Sequence, residues 1–422
     1  MSDGVPLRRN RDFVRFLVGR FVSNAGDSLY SVAALWLVFE LSGSSALVGV
    51  ANALLLLPWV LQALAGPVVD RLPLKPLLVG SQVVQGVVVL VLPLAAATGR
   101  LTTTLLLVTV PVLSLATLVV DPAQSALVPR IVPDRQLSRG NSALATVTLG
   151  LDMVFDALGG VFIAVAGATA LFALDAATFA VAAVLFAGMA VPAARDDSRE
   201  GDIGGSALAD YASDLREGVA AVRGSAFVHM TATAAVFNLA VGVTLATLPA
   251  FGASLGGPAA YGFLLGALGI GRLVGSAVAP RLTGLPYGRT MAALYLGSAC
   301  LWAASVYAPT TALTVGLFGL SWVSGGVGGV FVSTLNQKAF PDALLGRVTS
   351  VKGTASGATL PLGSLLGGLV ASALGPRTTV ALAAAGFGFS GLCFLCHPTL
   401  RRLPAVADAT PAAFGVSVPD GE

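Results

Sequence analysis

Charge is what this chain has least of. Only 11% of its 422 residues are Asp, Glu, Lys or Arg, and 55% are hydrophobic; an ordinary soluble protein carries roughly 25% charged residues. A surface of this size cannot be clothed in so few polar side chains, so a water-soluble protein is excluded and a polytopic membrane protein implied. Cysteine is scarce as well: Cys300, Cys393 and Cys396 are too few for a disulfide framework, and each lies in an apolar stretch. Two of them spell C-x-x-C-H with His397, the pattern of c-type haem attachment, but the distribution of arginine places this segment at the cytoplasmic end of the last span, where haem is not attached. Histidine occurs twice, which leaves no His/Glu cluster for a catalytic metal. No G-x-x-x-x-G-K-[ST] loop is present, so ATP is not a direct energy source. No enzyme activity, cofactor or metal is expected. The net charge of +3 comes mainly from arginine in short loops and speaks for topology rather than for nucleic-acid binding.

Long apolar runs fill the space that charge leaves. The start, "MSDGVPLRRNRDF", is polar and basic, unlike a cleaved signal, and the first apolar run after it is full length. A hydrocarbon core of about 30 Å needs about 20 residues of helix. Spans are expected near 16–40, 46–68, 77–97, 102–123, 142–166, 169–191, 226–251, 259–281, 288–308, 311–335, 348–373 and 378–397. Arginine and lysine gather in every second loop, while the opposite loops hold only Arg100 and Arg377, which puts both termini in the cytoplasm. One long polar connector, 192–225, ends in an amphipathic stretch from Asp210 to Arg223. The expected organisation is a six-helix bundle at 1–191, the cytoplasmic linker, a second six-helix bundle at 226–397 and a cytoplasmic tail at 398–422.

The two halves repeat. "PDRQLSRGNS" at 133–142 and "PDALLGRVTS" at 341–350 share Pro, Asp, Leu, Arg and Ser at one offset. Arg130 matches Lys338, and Leu158-Gly159-Gly160 matches Leu366-Gly367-Gly368. Parallel six-helix repeats imply a pseudo-twofold axis along the membrane normal and a cavity near the midplane. Paired glycines give surfaces on which helices approach closely.

These features, with "GPVVDRLPLKP" at 66–76 after the second span, resemble the major facilitator superfamily. Gly66, Asp70, Arg71 and Lys75 match its loop motif, while Pro73 and Leu74 stand where glycine and a basic residue are usual. The counterpart in the second half, "VAPRLTGLPYGR", keeps Arg281 and has Pro280 for the Asp. "RNRDF", "SNAGDSLYSVAALWLVFELSGSS", "DPAQSALVPRIVP" and "PDALLGRVTSV" further resemble the branch that holds the enterobactin exporter and macrolide efflux proteins. The resemblance implies alternating access by rocking of two bundles. The fourth span lacks the arginine that many proton-coupled members carry, and the fifth-span Gly-Pro motif of drug/proton antiporters reads Phe155-Asp156 here.

Intramembrane acids are expensive, at least about 2.5–3.5 kcal/mol each, so they should face a wet cavity or a partner. Asp152 and Asp156 lie one helical turn apart in "LDMVFDALGG", and Asp27 falls at a similar depth in the first span. Two carboxylates in one low-dielectric cavity cannot both ionise cheaply. Asp27, Asp152 and Asp156 are therefore candidates for proton coupling or cation binding, against the plainer role of tying helices together. Arg272 in the eighth span either neutralises an acid, binds an anionic group or reaches out to the cytoplasmic interface. Arg20 and Lys352 are expected to snorkel, and Asp175 and Asp121 to act as structural caps near span ends. Asp70 with Arg130 and Arg139 would form a cytoplasmic gate latch with Gly66, Arg71 and Lys75.

Candidate substrate contacts are Asn24, Tyr30, Asn52, Gln62, Asn238, Arg272 and Trp322, with Trp36, Trp59, Phe237 and Phe331 as further aromatic wall positions. Apolar cavities with few polar anchors suit bulky amphiphiles. The expectation is a monomeric, proton-coupled exporter of a drug, macrolide-like natural product or siderophore in the cell membrane. The alternatives are an uptake carrier or facilitator of the same fold, and a transport-inactive membrane sensor or partner-binding protein.

Overall fold

The computed structural model describes residues 6–58, 61, 73–118, 120–147, 152–191 and 207–416, and apart from one isolated bridge its regular structure there is helical. In chain order the helices are α1 Arg11–Ser42, α2 Ser45–Leu55, α3 Leu74–Ala97, α4 Thr103–Thr117, α5 Val120–Ile131, α6 Leu137–Ala145, α7 Asp152–Ala166 and α8 Ala168–Ala187. There follow α9 Ala207–Val222, α10 Ala226–Leu255, α11 Pro258–Leu282, α12 Tyr287–Val306, α13 Thr311–Ser321, α14 Val323–Ala339, α15 Asp342–Gly357, α16 Thr359–Leu374, α17 Pro376–Cys396 and α18 Pro398–Arg401.

Among the described residues eight helical stretches are long and apolar enough to cross a membrane, and α2 and Val154–Ala166 are shorter apolar helices. The expected spans begin on helices or, at Thr102, on a helix cap, and three extend over two helices each: 102–123 over α4 and α5, 311–335 over α13 and α14, and 348–373 over α15 and α16. The second expected span leaves α2 for residues outside the described set, as does the middle of the fifth between α6 and α7. The chain divides into two compact units. One holds Met1–Gly43, Leu54–Ile203 and Gly257–Gly262; the other holds Ser44–Ala53, Gly204–Gly256 and Phe263–Glu422. Most of α2 therefore belongs with the second unit, and the first turn of α11 with the first.

The repeat seen in the sequence governs local structure. Thr102 and Thr310 each cap a helix, accepting from the N–H of Leu105 and Leu313 at 3.2 and 3.3 Å. Gly167 and Gly375, with φ of 80° and 83°, turn the chain into α8 and α17, a conformation that disfavours any side chain. Arg130 and Lys338 occupy the last turns of α5 and α14. Within the first unit Gly160 lies against the backbone of Gly262, and within the second Gly368 lies against that of Gly49. Thr102 and Thr310, Gly167 and Gly375, and Gly160 and Gly368 all have the spacing that relates Arg130 to Lys338.

In the first unit α8 packs along both α1 and α3. At one end Phe13, Phe16, Leu78, Leu127 and Phe186 form a buried apolar cluster. In the second unit α10 lies between α16 and α17. The segment after α17 is not a free tail: the Tyr287 N–H donates to Pro404 O at 3.0 Å, Lys338 Nζ donates to Ala407 O at 2.7 Å, and Phe414 stacks near Phe227 with centroids 5.4 Å apart. The amphipathic end of the linker becomes α9, which packs on α15 through an Arg347–Glu217 ion pair with side chains 38% and 52% exposed. Such an exposed pair is worth at most about 1 kcal/mol. Glu217→Gln should therefore move the thermal midpoint by no more than about 2–4 °C, which a melting curve checks.

Candidate functional site

The first unit encloses a cavity of about 280 Å³ between α1, α3, α4 and α8. α1 contributes Arg20, Ser23, Asn24, Asp27 and Tyr30. Their spacing of three and four residues sets them on one helical face. From α3 come Gln82 and Gln85, one turn apart, and from α8 come Asp175 and Phe179. Gly26 makes the meeting of α1 with α8 possible, because a Cβ there would collide with Asp175 Oδ1 and Thr178 Oγ1.

Asp175 lies well inside α8, whose N-cap is Gly167, and it is 1% exposed. It caps nothing, contrary to the expectation from its place in the sequence. Thr178 Oγ1 donates to its Oδ1 at 3.2 Å, while its Oδ2 has no partner. Asp27 lines the same cavity and its charge acts on Asp175. Arg20 is also a wall residue, 7% exposed, so it is drawn inward rather than snorkelling to an interface. Buried beside these, Tyr30 OH, Ser23 Oγ and Gln82 Oε1 have no hydrogen-bond partner. The Gln82 amide donates to Gln85 Oε1 at 3.4 Å.

The structure thus brings Asp27 together with Asp175 at this cavity. Asp156, half-buried on α7, does not line this cavity and has Tyr261 within electrostatic reach. Asp152 is the first residue of α7, and its side chain is outside the described set. Of the expected substrate contacts, Asn24 and Tyr30 do line the cavity, Asn24 also donating to Val147 O at 3.3 Å. Asn52 does not: it is 4% exposed and donates to Ser364 Oγ at 2.8 Å, tying α2 to α16. Asn238 donates to Ser356 O at 2.9 Å. Trp322 is 1% exposed and wedged among Phe237, Trp302, Phe318 and Phe387, so its ring is core rather than cavity wall. Arg272 is exposed on α11 and makes no ion pair among the described residues.

Gln62, Trp59 and the loop residues Gly66, Asp70 and Arg71 lie outside the described residues. Of the other expected gate residues, Arg130 and Arg139 are exposed, and Lys75 Nζ donates to Met189 O at 2.8 Å, closing the chain just beyond α8. Lys352 does not snorkel: it is 8% exposed, donates to Asn336 Oδ1 and sits 4.1 Å from the Phe227 ring centroid. His397, at the end of the C-x-x-C-H segment, lies with its ring centroid 4.2 Å from that of His229.

Comparison with known proteins agrees with this architecture. The sequence pattern of the transmembrane secretion effector family, a major facilitator family, matches residues 2–413. No curated protein matches by sequence. Among solved structures, the nucleoside transporter NupG is similar with a TM-score of 0.68 at 12% identity, covering 91% of this chain and 99% of that one. A bacterial homologue of the human lysosomal transporter Spinster, inward-facing and unoccupied, gives 0.66 at 12% identity over 93% and 98% of the two chains. A bacterial homologue of the iron transporter ferroportin, inward-facing, gives 0.66 at 16% identity over 93% and 99%. These identities speak for the fold alone. With a family match over nearly its whole length, the chain belongs to the transmembrane secretion effector family of the major facilitator superfamily, and it is a multi-pass membrane transporter rather than an enzyme.

Proposed function

We propose that the protein is a secondary active exporter of an amphiphilic small molecule, driven by the proton gradient across the cell membrane, with both termini in the cytoplasm. The observation that carries this reading is the pair of carboxylates, Asp27 and Asp175, in one cavity with a single cation among the described residues, Arg20. Two acids so placed repel, and holding one proton between them relieves the repulsion. A proton taken up on one side and released on the other is the elementary step of exchange. Ionisable groups at such depth are costly and are retained where they move ions. Export is favoured over uptake by the resemblance of "SNAGDSLYSVAALWLVFELSGSS" and "DPAQSALVPRIVP" to the exporter branch. A sensor without transport has no use for an acid pair buried among membrane helices.

The test is flux. Protein reconstituted in vesicles with an imposed pH difference should move protons only when a transported compound from a panel of macrolides, siderophores and cationic dyes is added. Substrate-dependent proton movement in the direction of exchange supports the reading; co-movement of proton and substrate in one direction would make the protein an uptake symporter, and substrate flux indifferent to the gradient a facilitator.

A further inference from the structure

We propose that the cavity between α1, α3, α4 and α8 is a binding site for a protonated amine, and that its ligand is a small amphiphilic monocation or the amine end of a larger one. The proposal names the substrate class for the transport reading above and rests on it. Four oxygens at the cavity have no hydrogen-bond partner among the described residues: Asp175 Oδ2, Gln82 Oε1, Tyr30 OH and Ser23 Oγ. Their residues are at most 4% exposed. Buried polar atoms are normally satisfied, and leaving them bare is costly, so a ligand that fits this site brings donors for the carboxylate and amide oxygens, while the two hydroxyls can accept or donate. An alkylammonium has three donors and no acceptor, which is the complement of carboxylate and amide oxygens.

Charge points the same way. Among the described residues the titratable groups on the cavity wall are Asp27, Asp175, Tyr30 and Arg20. With both carboxylates and the guanidinium ionised and the phenol neutral, the sum is one negative charge. One proton or one monocation balances it; a divalent ion overshoots, and an anion adds to the surplus. Among the described residues neither His nor Cys is on the wall, which leaves none of the ligands that soft transition metals prefer. Leu55, Leu113, Leu118 and Phe179 supply apolar wall. At about 280 Å³ the space lies just below the range of about 300–1,000 Å³ for drug-sized ligands, enough for an amine with a short alkyl or aryl body.

The site is tested by calorimetric titration of the purified full-length protein in nanodiscs with n-hexylammonium, n-hexanol and manganese chloride. Hexylammonium should bind at least about tenfold tighter than hexanol, since the difference is a charge-assisted hydrogen bond. Asp175→Asn, which keeps the size of the side chain beside Thr178, should weaken it at least tenfold, and Gln82→Glu should tighten it. Should Asp175→Asn fail to fold, Tyr30→Phe and Gln82→Leu decide by the same loss. Equal binding of hexanol, manganese that hexylammonium does not displace, or wild-type affinity in the variants would overturn the proposal. Equilibrium binding needs no gradient, so the two readings fail separately. Amine binding without gradient-driven flux removes only the exchange mechanism, whereas gradient-driven flux of a neutral compound without amine binding removes only this site.

Discussion

Asp27→Asn should leave a protein that folds and still equilibrates its substrate, yet no longer accumulates it against a concentration difference. Asparagine preserves the volume and most of the hydrogen bonding of the aspartate, and the Asp27 carbonyl that accepts from Ser31 Oγ at 2.8 Å is backbone and unaffected. What disappears is one of the two carboxylates that can share a proton in the cavity. Exchange of one proton for one monocation converts each unit of pH difference into about 1.4 kcal/mol, or about tenfold of substrate gradient. The wild type should therefore approach a hundredfold accumulation ratio at a difference of about two pH units, and the variant a ratio of one. Counterflow of labelled substrate in the absence of a gradient should persist in the variant. Accumulation retained by Asp27→Asn would place the coupling proton elsewhere, Asp156 being the next acid to replace.

Gly363→Ala should be strongly damaging for the addition of a single methyl group in the second unit. A Cβ at Gly363 would run into the backbone of Leu239 on α10, and Gly242 and Gly367 make reciprocal close approaches between the same two helices. Backbone cannot step aside as a flexible side chain does, so the helices must separate. Overpacking of this kind costs about 1–3 kcal/mol, and more where several contacts are lost together. In a bilayer, tight approach through small residues is much of what holds helices to one another. The matched control is Gly297→Ala on α12, where a Cβ meets nothing within 4 Å. That change should be neutral or stabilise by about 0.5–1 kcal/mol, because alanine loses less conformational freedom in a helix. The melting point in detergent should therefore fall in Gly363→Ala and hold or rise in Gly297→Ala; an unchanged melting point in Gly363→Ala would show that the α10–α16 contact does not limit stability.

Most of the architecture was legible in the sequence because its signals are one-dimensional. Apolar runs fix where helices lie, and the offset that relates Arg130 to Lys338 also relates the capping threonines and the paired glycines. The breaks at Leu118 and Trp322 within the expected fourth and tenth spans carry no such signal, since apolar composition runs through them unchanged. The site was half legible. Asp27 stands out as an acid deep in the first span and Asn24 and Tyr30 as polar and aromatic wall positions, and the three meet at the cavity. Asp175 was assigned to capping because depth was counted along its own span; which face of α8 it occupies depends on α1, where Gly26 opens the space for it. The amide pair in "SQVVQ" carried a usable signal, two glutamines one turn apart in an otherwise apolar run, and went unread. Trp322 and Asn52 show the converse: a large or polar residue in a span suggests a ligand, but an aromatic cluster and a serine on α16 occupy them already.

The central claim is that Asp27 and Asp175 hold one positive charge between them, a proton or an amine. It is tested most directly by counting protons released when n-hexylammonium saturates the purified protein in weakly buffered solution at a series of pH values. The account predicts a pH at which about one proton leaves per amine bound, and no release from Asp27→Asn. Amine binding with no proton released at any pH would contradict it.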